Sequence, residues 1–310
     1  MLRRRFVQGL AVAGAALMAT RAALAQSTKT TDQGKASPMS NSHDQFTSGK
    51  ATSQDGTSIA YDRFGQGQAV VLVGGGLDHR NSTTAGRPLA APLSKTCAVY
   101  TYDRRGRGES GDTQPYAVDR EVEDLEALID MTGGSAMVYG MSSGCALAIE
   151  AAASGLPITK LALYEPPFDA PLTAGPLPDY AKALNALMAK GRRADALILF
   201  MKRAGLPDPL IEEIRQSPQF ESAQALAPSL AYDSLVMDDL NGAPVPIKRL
   251  PLIDAPVRVI VGGASLDWWH KTAHAVVAAL PNGSYETLEN QTHDVDPEIL
   301  APVLSKFFVG

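Results

Sequence analysis

The chain has 310 residues, 45% hydrophobic and 20% charged, which is enough to bury one large core and too apolar for a disordered or fibrous protein. Net charge is −5, but the first 25 residues hold Arg3, Arg4, Arg5 and Arg21 and no acid, so the remainder carries 24 bases against 33 acids, or −9. An acidic body without a basic run argues against a nucleic-acid partner.

Met1 to Ala25 has the three parts of a signal peptide: a charged start, an apolar stretch from about Gly9 to Thr20 that is too short to span a bilayer, and the small-residue site Ala23-Leu24-Ala25. The run Arg3-Arg4-Arg5-Phe6-Val7-Gln8 resembles the twin-arginine export signal. Residues 1–25 are therefore expected to be a cleaved leader, the protein periplasmic or secreted, with no stable membrane insertion after cleavage. Residues 26–50 are rich in Ser, Thr, Asp, Gly and Lys, a composition too polar to offset its ordering entropy, and read as a flexible linker.

From Ala51 short β runs alternate with helical stretches. Thr52 to Arg63, with Asp55-Gly56 inside, predicts an entering hairpin. Strands are then expected at 69–73, 97–102, 136–139, 158–164, 257–261 and 285–288, several of them apolar at every position, as strands buried on both faces require. Helical stretches at 119–131 and 146–153 make the order β-α-β and the sheet mainly parallel. Residues 166–251 interrupt this alternation. They carry helical periodicity in Tyr180, Leu184, Leu187 and Met188, and again in Leu197, Phe200, Met201 and Ala204. The reading is an inserted helical cap on an α/β core built from residues 51–165 and 252–310.

The segment Gly140-Met141-Ser142-Ser143-Gly144 follows a buried strand and precedes an alanine-rich helix, the context of a nucleophile elbow with Ser142 as nucleophile. Small residues must flank so tight a turn, and a serine at a helix start meets positive backbone dipoles. An oxyanion hole needs two backbone donors. Ser143, directly after the nucleophile, supplies one, and Gly76 in the loop Gly74-Gly75-Gly76-Leu77 is the favoured second. Among five histidines, His43 lies in the linker, His79 comes too early in the chain, and His270 and His274 lack the His-Glu-x-x-His arrangement of a metal helix. His293, after the last strand, fits the general base. No metal and no organic cofactor is expected.

Val70 to Leu77, Tyr102-Asp103-Arg104-Arg105-Gly106-Arg107-Gly108-Glu109-Ser110, the elbow and the terminal His293 together resemble the α/β-hydrolase superfamily. The resemblance implies a Ser, acid, His triad, hydrolysis of a small-molecule carboxylic ester or lactone through an acyl-enzyme, and pairing of Arg104, Arg105 and Arg107 with nearby carboxylates. Carbon–carbon bond hydrolysis, perhydrolysis, lyase chemistry or a low-turnover receptor are the alternatives on the same scaffold. In most of the family the acid follows the penultimate strand, where this chain has Ser265, with Asp267 two residues later. Some members, including haloalkane dehalogenases and fungal zearalenone lactone hydrolases, carry the acid at the end of the strand after the elbow. Glu165 stands there, 23 residues beyond Ser142, and is the favoured acid, with Asp267 the alternative. Cys97 and Cys145 are expected at opposite ends of the sheet, about 16 Å apart by strand rise and so beyond disulfide reach.

Overall fold

The structure, a computed structural model, describes residues 46–168, 177–204 and 206–310. The expected leader and residues 26–45 of the expected linker lie outside the described residues. Residues 46–50 do not continue that linker. They belong to β1 (Phe46–Thr52), which pairs antiparallel with β2 (Ser58–Phe64), so the hairpin is longer than the sequence pattern predicts. β1 is polar and mostly exposed, and cross-strand hydrogen bonding holds it where composition alone reads as coil.

The sheet continues with β3 (Ala69–Val73), β4 (Ala98–Tyr102), β5 (Ala136–Met141), β6 (Ile158–Tyr164), β7 (Val257–Gly262) and β8 (Gly283–Leu288), in the spatial order β1-β2-β4-β3-β5-β6-β7-β8. Every pairing from β4 to β8 is parallel. Alternate residues of each strand face opposite sides, as the period of two dictates. Val71, Val138, Leu161 and Val259 pack with Leu125 and Ile149 on one side. Val70, Met137, Ala162 and Ile260 pack with Leu89, Leu304 and Phe308 on the other.

The first side is covered by α2 (Val118–Met131) and α3 (Ser143–Ala153), the second by α1 (Arg87–Leu93). Among the described residues, five α-helices lie between β6 and β7: α4 (Leu177–Ala189), α5 (Arg193–Arg203), α6 (Asp208–Arg215), α7 (Pro218–Gln224) and α8 (Ser229–Val236). They form their own apolar cluster around Leu184, Leu197, Ile211, Phe220 and Leu230. The last two helices are α9 (Asp267–Ala279) and α10 (Pro297–Val309), and among the described residues no helix is long and apolar enough to cross a membrane. Cys97 and Cys145 are both buried and unbridged.

Three basic side chains after β4 are buried and paired. Arg104 donates to both oxygens of Glu121, at 2.6 and 2.7 Å, and Arg105 donates to both oxygens of Asp124 at 2.7 Å each. Arg104 and Arg107 also reach across to Asp233 on α8. Removing one partner from such a buried pair costs ~3–5 kcal/mol because the other charge is left unpaired.

Beyond α8, Asp239 is buried at a short 3-10 turn. Burial pushes its carboxyl up to about 6 against the pull of the Ser234 hydroxyl and Arg203. A proton held more tightly when folded than unfolded stabilises the fold below pH ~4, and that contribution is lost as pH rises through about 6. Asp239→Asn should therefore gain on the wild type between pH 4.5 and 7.5, by about 2 kcal/mol in denaturant unfolding. An equal difference at both pH values would contradict this.

Candidate active site

β5 ends at Met141 and α3 begins at Ser143, so Ser142 alone makes the turn, at φ 52° and ψ −125°. That is a region L-residues rarely occupy, and it is held by the Ser142 amide donating to the Tyr164 carbonyl at 3.1 Å and the Ser142 carbonyl accepting from Cys145 N at 2.8 Å. Gly144 packs directly on the Val73 carbonyl, where any side chain would collide. Burial holds the Cys145 thiol well above its ordinary pKa, so it stays a neutral thiol behind the turn.

The loop after β3 lies against this turn. A methyl on Gly75 would stand 2.9 Å from Ser142 Cβ and 3.0 Å from the Met141 carbonyl. The Gly75 amide donates to Asp78 Oδ2 at 2.8 Å, Arg104 donates to the Gly74 carbonyl at 3.3 Å, and Arg107 donates to the Gly75 carbonyl. Among the described residues, neither the Gly76 nor the Ser143 amide is given to another protein group. From the cap, Phe200 comes within 3.5 Å of where a Gly76 side chain would begin.

Glu165 ends β6 with φ 49° and no exposed surface. His293 Nδ1 lies 2.7 Å from its Oε2, the Gly262 amide donates to its Oε1 at 2.9 Å, and the Ser265 hydroxyl donates to the same oxygen. The carboxylate paired with His293 is that of Glu165, and Asp267 is exposed as the first residue of α9. Its segment nevertheless enters the site twice: Ser265 binds Glu165, and the Trp269 ring stacks on His293 with centroids 4.7 Å apart and planes 18° from parallel. His293 is 41% exposed on its other side. Ser142 Oγ has no hydrogen-bond partner among the described residues, His293 included, and such contacts commonly tighten only around substrate. Asp294, next to His293, is held above the ordinary carboxylate range by burial and by Asp78, against the pull of His293.

His43 lies outside the described residues, and none of the other three histidines hydrogen-bonds Ser142, Glu165 or His293 among the described residues. His270 Nδ1 meets Tyr285 Oη at 2.6 Å and the His274 ring packs on the same tyrosine, while His79 Nδ1 accepts from the Asn81 amide. Asp233 is the participant that sequence reasoning misses. It accepts hydrogen bonds from Ser143 Oγ at 2.8 Å, Arg104 Nη1 at 2.7 Å and Arg107 Nη2 at 2.8 Å. Burial would raise its pKa, but Arg107, Arg104 and the Ser143 hydroxyl hold it below the usual range, so it is an anion. No local pattern marks it, because a lone aspartate on a helix reads as a solvated one.

A family model described as "Alpha/beta hydrolase family" matches residues 69–302. No curated protein matches the chain. Among solved structures, it is similar to an alpha/beta hydrolase from Sphaerobacter thermophilus DSM 20745, with 48% identity, a TM-score of 0.76, and 84% of this chain and 100% of that one covered. It is also similar to a 2-hydroxy-6-oxo-6-phenylhexa-2,4-dienoate hydrolase from Rhodococcus sp. strain RHA1, at 20% identity and TM-score 0.60, covering 86% and 99%. A thermophilic esterase from Thermogutta terrifontis matches at 21% identity and TM-score 0.59, covering 84% and 97%.

Gly75→Ala is expected to destabilise the protein by about 1–3 kcal/mol, because the added methyl would meet the Ser142 Cβ at 2.9 Å and the Met141 backbone carbonyl at 3.0 Å, so the turn must shift to admit it. An unchanged thermal midpoint would contradict the packing described.

Proposed function

The chain belongs to the alpha/beta hydrolase family, and on that premise we propose that it hydrolyses a carboxylic ester or lactone with Ser142 as nucleophile. His293 takes the hydroxyl proton as Ser142 attacks the carbonyl carbon. Glu165 holds His293 with Nδ1 protonated, leaving Nε2 as the base, and stabilises the imidazolium that forms. The Ser143 and Gly76 amides receive the oxyanion. His293 then protonates the leaving alkoxide, and water, activated by the same imidazole, releases the acid.

The observation that carries this reading is the fully buried Glu165 carboxylate 2.7 Å from His293 Nδ1. A charge so enclosed needs charged or polar partners, and an imidazole that becomes cationic during turnover is a good one. Fold similarity alone does not choose the reaction, since the distant relatives include both a dienoate hydrolase and an esterase. What favours an uncharged ester is the state of the arginines. Arg104, Arg105 and Arg107 already hold carboxylates of the protein, which leaves none of the three to grip a substrate carboxylate.

A fluorophosphonate probe should label the wild type and fail to label Ser142→Ala; labelling of the variant would sink the assignment. Glu165→Gln should lower kcat by about 10³–10⁴-fold on a nitrophenyl ester, whereas Asp267→Asn should change little. The reverse order would move the acid to Asp267.

The leader supports a further part of the proposal, that the protein works in the periplasm or outside the cell. Protein recovered from its native host should begin at Gln26, and a mature chain retaining Met1 would contradict export.

A further inference from the structure

The two amides assigned to the oxyanion hole come from different strands, and something must fix their separation. Ser143 follows β5, while Gly76 follows β3. One side chain joins the two. Asp233 Oδ1 accepts from the Ser143 hydroxyl at 2.8 Å and from Arg104 at 2.7 Å, and its Oδ2 accepts from Arg107 at 2.8 Å. The same two guanidiniums continue to the glycine loop, Arg104 to the Gly74 carbonyl at 3.3 Å and Arg107 to the Gly75 carbonyl. Asp233 Oδ2 also comes within 3.7 Å of the point where a Gly76 side chain would begin. Because an ionised carboxylate only accepts, the Ser143 hydroxyl proton is committed to Asp233.

The helix that presents Asp233 is anchored to the core. The Tyr232 ring stacks on Tyr116 at 3.8 Å with planes 3° apart, and its hydroxyl donates to Asp112 at 2.9 Å. Val236 and Met237 enter the apolar cluster on the α3 side of the sheet, while Leu230 belongs to the cluster of the cap. α8 thus faces both bodies, and its carboxylate is a fixed point for the loop and the elbow.

We propose that Asp233 is a positioning residue for acyl transfer. By holding the Ser143 side chain and, through Arg104 and Arg107, the carbonyls of Gly74 and Gly75, it sets the spacing of the two amides that receive the oxyanion. This rests on the reading of Ser142 as nucleophile with those donors. A bolt that merely seats the cap would govern stability, and a wall of the substrate pocket would govern KM. A positioning residue governs kcat and the affinity for an adduct that carries an oxyanion.

The test compares wild type, Asp233→Asn and Ser143→Ala, each first checked for a cooperative thermal transition. kcat and KM are measured on one nitrophenyl ester, together with Ki for an aryl trifluoromethyl ketone, which adds to a serine as a tetrahedral oxyanion. Asp233→Asn should lower kcat about 10- to 100-fold and raise Ki by a similar factor with KM within threefold. This is less than the ~10²–10³ lost when an oxyanion donor is deleted, because the donors remain but are less well held. Ser143→Ala, which leaves both ion pairs in place, should lose about 3- to 10-fold in the same two quantities. If Asp233→Asn does not fold, Ser143→Ala decides alone. Folded variants with kcat and Ki within twofold of wild type overturn the proposal, as does a rise in KM with kcat retained. A wild type that no fluorophosphonate labels would instead overturn the serine-hydrolase reading, and this inference with it.

Discussion

A carboxylate with no exposed surface sits at the end of β6, and the geometry around Ser142 depends on how it is satisfied. Glu165 takes hydrogen bonds from the Gly262 amide, the Ser265 hydroxyl and His293, so the ends of β6 and β7 and the loop after β8 meet on one side chain. Leaving that charge unpartnered would cost several kcal/mol, so the three segments are held together by the same requirement. The usual family position for the acid carries Ser265 here. Instead of supplying the charge, it donates a hydrogen bond to the residue that does. Trp269 completes the support by lying flat on the imidazole.

A second buried anion works from the opposite side. Asp233 draws Arg104 and Arg107 together below the glycine loop, and those arginines are in turn balanced by Glu121 and by backbone carbonyls. Glu165 stands just before the cap sequence and Asp233 within its last α-helix. His293 and Ser143 are thus each tied to a buried carboxylate, Glu165 and Asp233 respectively. Phe200, on α5, faces the glycine loop without any charged tie of that kind, and Leu77 of that loop packs against the apolar cluster of the cap helices.

Much of this was legible in the sequence. Strands apolar at every position, such as 69–73 and 158–164, declare burial on both faces, and the structure begins and ends those two at the same residues. The tight strand-to-helix turn at Ser142 was legible because glycines at both flanks follow a buried strand and precede an alanine-rich helix. The two periodic cap segments fall on α4 and α5. The short helices α6, α7 and α8 were not, since seven or eight residues punctuated by proline give periodicity too little length to register. β1 was missed because it is stabilised by its partner rather than by its own side chains. Asp233 was invisible for a deeper reason: the arginines that give it meaning lie 126 and 129 residues away. Trp269 likewise acts through a ring contact that no spacing rule encodes.

The central claim is that Glu165, and not Asp267, steers His293 over Ser142. Proton NMR tests it most directly, by following the imidazole Nδ1 proton in the adduct with an oxyanion-forming inhibitor, where His293 is cationic. A strongly deshielded resonance should be present in wild type and in Asp267→Asn and absent in Glu165→Gln. Its survival in Glu165→Gln, or its loss in Asp267→Asn, would contradict the account.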